Sequence, residues 1–149
     1  MADPGWYAEL PLFVYGSLRP GAAAHAEVCG AVLRSEPAWV AGTLYDLPAQ
    51  GFPALVAEGT GRVRGDLLWF DRVAAALVRL DAYEDCAPDG SGCYERCVVQ
   101  AHPLRGGGGQ PAWCYVWARR RRAWLAAHGV VVPGGDWLER SGATRPGPG

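Results

Sequence analysis

The run Leu12-Phe13-Val14-Tyr15-Gly16-Ser17-Leu18-Arg19-Pro20-Gly21 passes from an apolar, β-prone segment into glycine and proline. A glycine loop that leaves a strand and opens a helix exposes successive backbone N–H groups, which suit a carboxylate or phosphate, and Ser17 adds a hydroxyl. A plain strand-to-helix connector is the competing reading, since most such loops only connect. The second candidate is Glu84, beside Tyr83 and just past an apolar helical face. A carboxyl at such an edge is partly desolvated, so its pKa rises toward neutrality and it can take and return a proton. The alternative is a solvated acid at a helix end, the reading that applies to its neighbours Asp81 and Asp85.

Other reactive side chains form weaker patterns. Cys86, Cys93, Cys97 and Cys114, with His102, invite a zinc site, but no Cys-x-x-Cys knuckle occurs and two of these thiols lie in a β-like run. Core packing or a loop thiol is favoured over a metal. Nothing local orients His25, His102 or His128 toward a cysteine nucleophile. The block Arg119-Arg120-Arg121-Arg122 reads as a solvated helix face, with contact to phosphate or an acidic partner as the functional alternative. The seven tryptophans lie mostly in apolar runs, as core or as the wall of an apolar pocket.

Composition narrows the chemistry further. All fourteen cations are Arg and lysine is absent, which removes Schiff-base amines, a pyridoxal phosphate anchor and the P-loop lysine. A formal net charge of -1 supplies no field toward nucleic acid or an anionic membrane. The longest apolar runs fall far short of the roughly 18 residues that span a bilayer. Met1-Ala2-Asp3-Pro4-Gly5 lacks the basic start and apolar core of a secretory signal, so a cytoplasmic protein is expected. Five cysteines in a chain this size are expected to be reduced thiols.

The elements that must position these residues follow from periodicity. The β-prone Leu12-Phe13-Val14-Tyr15 reads as a strand, and residues 22–33, rich in Ala with Val28, Val32 and Leu33 on one stripe, read as a helix. Residues 39–47 and 52–56 suit two strands joined across Pro48 and Gly51. Residues 62–70 begin with alternation and end apolar, as a strand with a buried second half. Asp71 stands at an expected N-cap, and Val73, Ala76, Leu77 and Leu80 recur at helical spacing. Residues 88–92 form a loop, 94–100 and 112–117 read as paired strands, and 119–127 as a short helix. The order implies an α+β fold with a curled, mostly antiparallel sheet, in one domain over residues 1–142 with a disordered tail at 143–149.

With the elements in place, Tyr15-Gly16-Ser17-Leu18 resembles the YGS(L/N) signature of the γ-glutamylcyclotransferase-like family, which includes AIG2-like proteins and γ-glutamylamine cyclotransferases. Further segments agree in order. Gly42-Thr43-Leu44-Tyr45-Asp46-Leu47 is similar to G-x-L-Y-D-L, Gly51-Phe52-Pro53-Ala54-Leu55 to G-x-P-A-L, and Val63-Arg64-Gly65-Asp66-Leu67 to V-x-G-x-L. Leu80-Asp81-Ala82-Tyr83-Glu84 is similar to L-D-x-Y-E, and Tyr94-Glu95-Arg96-Cys97-Val98-Val99 to Y-x-R-x-x-V. Six ordered motifs over residues 12–117, continued weakly through Gly134-Gly135-Asp136-Trp137, are far more specific than any one.

The resemblance implies a small β-barrel flanked by helices, with Trp137 capping it and a cavity between the glycine loop and Glu84. It places the general acid/base on Glu84 and the α-carboxylate of a γ-glutamyl group on Tyr15, Gly16, Ser17 and Leu18. Pro53 and Ala54 fall on the segment bordering the substrate, and Tyr94 near the cavity. Asp85 stands where many relatives have glycine, which bears on loop shape and leaving-group access. The implied reaction is cofactor-independent and metal-free: the α-amine attacks its own γ-carbonyl, giving 5-oxoproline and a free amine. Relatives act on γ-glutamyl amino acids, γ-glutamyl-lysine isopeptides or γ-glutamyl-protected antibiotic intermediates. The implied partner is a small γ-glutamyl substrate, with no nucleic acid or membrane, in a monomer or homodimer. A non-catalytic small-molecule-binding member of the same fold is the alternative, which a retained Glu84 disfavours.

Overall fold

In the computed structural model, which describes residues 9–22, 25, 32–84 and 92–139, alternation decides which way each strand faces. Along β1 (Leu12–Val14) and into Tyr15, Phe13 and Tyr15 point into one core, while Leu12 and Val14 join a second. The remaining strands are β2 (Val32–Ala41), β3 (Thr43–Leu47), β4 (Phe52–Val56), β5 (Arg62–Phe70), β6 (Tyr94–Pro103), β7 (Gln110–Trp117) and β8 (Val130–Val131). Helix α1 (Val73–Tyr83) follows β5, and a 3-10 turn (Arg119–Arg121) runs into α2 (Arg122–His128).

Five strands close a barrel in the order β1-β5-β2-β6-β7, and β3 lies between β4 and β8 in a separate three-stranded sheet. The barrel pairs are antiparallel except β1 with β7, which are parallel. The expected mostly antiparallel, curled sheet of an α+β fold is therefore found, fully closed. Val63 and Leu67 of β5 fill the interior with Ala112, Cys114 and Val116 of β7 and with Trp137. The outward residues Leu68, Tyr115 and Trp117 pack with Ala76 and Leu80 of α1. Helix α1 buries Val73, Ala76, Leu77 and Leu80, the four positions its spacing selects. Among the described residues, no helix is long and apolar enough to cross a membrane.

Two local expectations are corrected. Val32 and Leu33 belong to β2, not to a helix; the remainder of that expected helix lies outside the described residues apart from Ala22 and His25. The β2–β5 register jumps from Val32↔Phe70 to Arg34↔Trp69, so Leu33 is the extra residue of a bulge and is 67% exposed. Asp71 does not cap α1: Arg72 holds the N-cap position and no side chain bonds there. The expected loop at 88–91 and the tail at 143–149 lie outside the described residues.

One glycine sets how closely the barrel closes. A Cβ on Gly65 would sit 2.1 Å from the Val14 carbonyl oxygen and 2.7 Å from the Phe13 ring, so β1 can lie against β5 only where that side chain is missing. Gly65→Ala forces β1 and β5 apart and is expected to cost about 3 kcal/mol or more. Urea unfolding of both proteins measures it, and an unchanged midpoint would contradict the close approach.

Candidate active site

At the end of β1 the chain turns sharply, with the Arg19 N–H donating to the Gly16 carbonyl at 3.0 Å. Gly16 is needed for its bareness: a Cβ there would lie 2.7 Å from Cγ of Pro53, so any other residue would push β4 away from the loop. Tyr15 is buried, and its hydroxyl donates to the Tyr115 carbonyl at 2.5 Å, tying the loop to β7. Ser17, 1% exposed, has its hydroxyl 3.1 Å from that of Tyr83 at the end of α1. Arg19 anchors the far side, with Nε 2.7 Å from Asp66 Oδ2 and Nη1 2.9 Å from Asp136 Oδ1.

Opposite the loop stands Glu84, the residue that ends α1, its N–H donating to the Leu80 carbonyl at 2.9 Å. Its carboxyl is pushed up to about 7 by burial. Tyr94, at the start of β6, donates its hydroxyl to the Pro53 carbonyl at 2.5 Å and so joins β6 to β4. These elements enclose a cleft of about 360 Å³, part of it continuous with solvent.

Of the residues expected at the site, Tyr15, Gly16, Ser17, Leu18, Pro53, Tyr94 and Glu84 all line this cleft. Ala54 does not; strand alternation turns it away from Pro53, and it is fully buried in the core shared with Leu47 and Leu80. Phe13, Val14 and Tyr115 complete the wall without having been singled out by sequence. The available signal for Tyr115 is strand register: β6 and β7 pair Arg96, the arginine of the Y-x-R motif, with Tyr115.

Asp81 is corrected from its expected solvated role. It accepts the Tyr115 hydroxyl at 2.6 Å and receives Arg96 through Nε at 2.8 Å and Nη2 at 3.2 Å. Burial, the hydrogen bond to Asp81 and the Asp81 charge hold the Tyr115 phenol well above its ordinary pKa. Asp85 and Cys86 lie outside the described residues. Among the described residues, Cys93, Cys97 and Cys114 are free thiols and no group of three or more His, Cys, Asp or Glu is arranged for a metal ion.

The arginine block is less uniform than a solvated face. Arg119 and Arg120 are exposed, whereas Arg121 lies over the Trp117 ring and Arg122 pairs with Glu58 at 2.7 Å. Trp137 is fully buried among the barrel-interior side chains, its indole N–H donating to Asp46 at 2.9 Å.

Residues 12–139 match the family model described as gamma-glutamyl cyclotransferase, AIG2-like. The γ-L-glutamyl-butirosin B γ-glutamyl cyclotransferase of Niallia circulans is 34% identical over 110 residues, which cover 72% of this chain and 67% of that protein. An AIG2-like protein of Mus musculus has a similar fold, with a TM-score of 0.71 at 22% identity over 95% of this chain and 97% of its own. YkqA of Bacillus subtilis gives a TM-score of 0.62 at 23% identity over 88% of this chain, which spans 40% of the length of YkqA. Because one family match takes in all the barrel strands, the glycine loop and Glu84, the chain belongs to the gamma-glutamyl cyclotransferase, AIG2-like family.

Proposed function

We propose that this protein is a cyclotransferase that releases 5-oxoproline and a free amine from a γ-glutamyl amine or amide. What supports it most is the buried Glu84 carboxyl, pushed up to about 7, in the same cleft as the glycine loop. A γ-glutamyl group carries its own nucleophile, so holding its α-amine against its γ-carbonyl supplies much of the rate, about 7 to 11 kcal/mol for well-aligned groups. Residues 15–18 hold the α-carboxylate. The Glu84 carboxylate removes a proton from the α-ammonium. The freed amine then attacks the γ-carbonyl carbon, forming the ring C–N bond and moving the carbonyl electron pair onto oxygen.

When that pair returns, the bond to the leaving nitrogen breaks, the Glu84 carboxyl donates the proton it holds to that nitrogen, and the second proton of the ring nitrogen passes through the Glu84 carboxylate to the released amine, leaving a lactam N–H and an ammonium. One group serves both steps because a pKa near neutrality makes it a usable base and a usable acid. No metal or cofactor enters this scheme. The Niallia circulans relative, named for γ-L-glutamyl-butirosin B, favours a γ-glutamylated metabolite as substrate, with removal of the γ-glutamyl group as the purpose of the reaction.

The test is 5-oxoproline release from a panel of γ-glutamyl amines, by the native protein and by Glu84→Gln. The variant is expected to lose on the order of a hundredfold to ten-thousandfold in kcat/KM. With the native protein, kcat/KM should fall on the acid side of a midpoint near pH 7, as Glu84 takes up its proton. Equal release by both proteins would remove Glu84 from the mechanism.

A second consequence needs no substrate. The folded-state pKa of Glu84 lies above the ordinary 4.5, so between pH 4.5 and 7 the folded protein holds a proton that the unfolded chain has lost. The contribution of Glu84 to stability is thus greatest below pH 4.5 and is lost as pH rises through about 7. Glu84→Gln, which does not titrate, should match the native protein near pH 4.5 and exceed it by up to about 3 kcal/mol above pH 8. Chemical unfolding across that range reads the difference directly. A gap that is constant with pH would show that the carboxyl is not desolvated.

A further inference from the structure

We infer that the phenol oxygens of Tyr94 and Tyr115 form an acceptor-only subsite that recognises the free α-ammonium of the substrate beside Glu84. The inference rests on the γ-glutamyl reading above and adds the groups that select for an unblocked amine. A phenol has one proton to give. Tyr94 gives its proton to the Pro53 carbonyl at 2.5 Å, an oxygen that has none to return. Tyr115 gives its proton to Asp81 at 2.6 Å, and Arg96 holds that aspartate by two hydrogen bonds. Both hydroxyl oxygens, on residues that line the cleft with Glu84, therefore keep lone pairs to offer a ligand and no proton.

The third tyrosine of the wall is different. Tyr15 is deeply buried and donates to the Tyr115 carbonyl, tying the loop to β7, so its hydroxyl is scaffold. Burial pushes the Tyr94 and Tyr115 phenols up, and the charge on Glu84 adds to this at both, so neither loses its proton while the protein is folded near neutral pH. A wall of acceptors around a carboxylate repels anions. It matches an ammonium, whose three N–H donors can divide among two phenol oxygens and Glu84. Cyclisation turns that ammonium into an uncharged lactam nitrogen with one N–H, so these contacts weaken in the product and favour its release.

The probes are L-norleucine and hexanoate, unreactive chains of equal length that differ only in the α-ammonium. Their binding is measured by NMR titration of the native protein, Tyr94→Phe and Tyr115→Phe, each first checked for an unchanged melting transition. A second Tyr115-side variant, Asp81→Asn, covers the case in which a Phe variant fails to fold. Its amide can donate to the Tyr115 oxygen and fill the lone pair.

The native protein is expected to prefer L-norleucine by about tenfold or more, and each variant should lose a large part of that preference while binding hexanoate as before. Equal binding of the two probes by the native protein, no binding of L-norleucine, or an undiminished preference in all the variants would overturn the subsite. Turnover of γ-glutamyl amines is assayed alongside. A preference for L-norleucine without any turnover would sink the cyclotransferase reading and leave an α-amino acid site. Turnover without the preference would do the reverse.

Discussion

The barrel closes through a strand of three residues, and the site hangs from the end of that strand. β1 pairs with β5 on one side and β7 on the other, with all three of its residues buried. So short a seam tolerates little error, and Gly65 supplies the tolerance by letting the β1 backbone come against β5 without a side chain between them. Everything after Val14 inherits that placement. Tyr15 is fixed to the β7 backbone, Gly16 fits under Pro53 of β4, and Arg19 reaches both Asp66 of β5 and Asp136. The glycine loop is held from three directions by groups that β1 alone brings within reach, which is why a loop so rich in small residues can serve as one wall of a cleft.

The opposite wall depends on α1 ending where it does. The buried positions of α1 run from Val73 to Leu80, and the helix carries on for one further turn beyond the last of them to deliver Glu84 to the cleft. Asp81 lies three residues before Glu84, on a neighbouring position of the helix surface, and is tied to Arg96 and Tyr115. These bonds fasten the last turn of α1 to β6 and β7, and the Ser17–Tyr83 hydroxyl pair fastens it to the loop. Two acids on one helical turn thus receive opposite environments. Asp81 has a guanidinium and a phenol donor, whereas Glu84 is desolvated by burial, which keeps its pKa high.

Much of this was legible in sequence where a local pattern and a tertiary environment agree. The apolar stripe of α1 and the alternation in β5, β6 and β7 each report a face that is in fact buried, so periodicity alone places them. β2 shows the limit. Val32 and Leu33 share helical spacing with Val28, yet Val32 pairs with Phe70 in a sheet and Leu33 is bulged out to solvent, because the long strand β5 needs a partner. For the site, the ordered motifs pointed to the loop, Pro53, Tyr94 and Glu84, all of which line the cleft. Ala54 was carried along by adjacency and lost to strand alternation, while Tyr115 enters through the β6–β7 register, which no run of neighbouring residues encodes. Asp81 was misread for a related reason: its partners are 15 and 34 residues away.

The placement of the arginines explains how a carboxyl remains near neutrality in a protein with as many cations as this one. A guanidinium facing Glu84 would hold its pKa low and make it a poor acid for the leaving nitrogen. Among the described residues, Arg96 of β6 is matched to Asp81, and Arg19 of the glycine loop to both Asp66 and Asp136. Their charge is used to brace the walls. On the proposed reading, a carboxylate at the glycine loop would draw on backbone N–H groups rather than on Arg19, whose charge is already outweighed by its two partners. Among the described residues, the same economy leaves the cleft with one ionisable carboxyl, that of Glu84, and the phenol oxygens beside it. Such a surface holds an ammonium while its charge lasts, and it has no means of holding a neutral lactam as tightly.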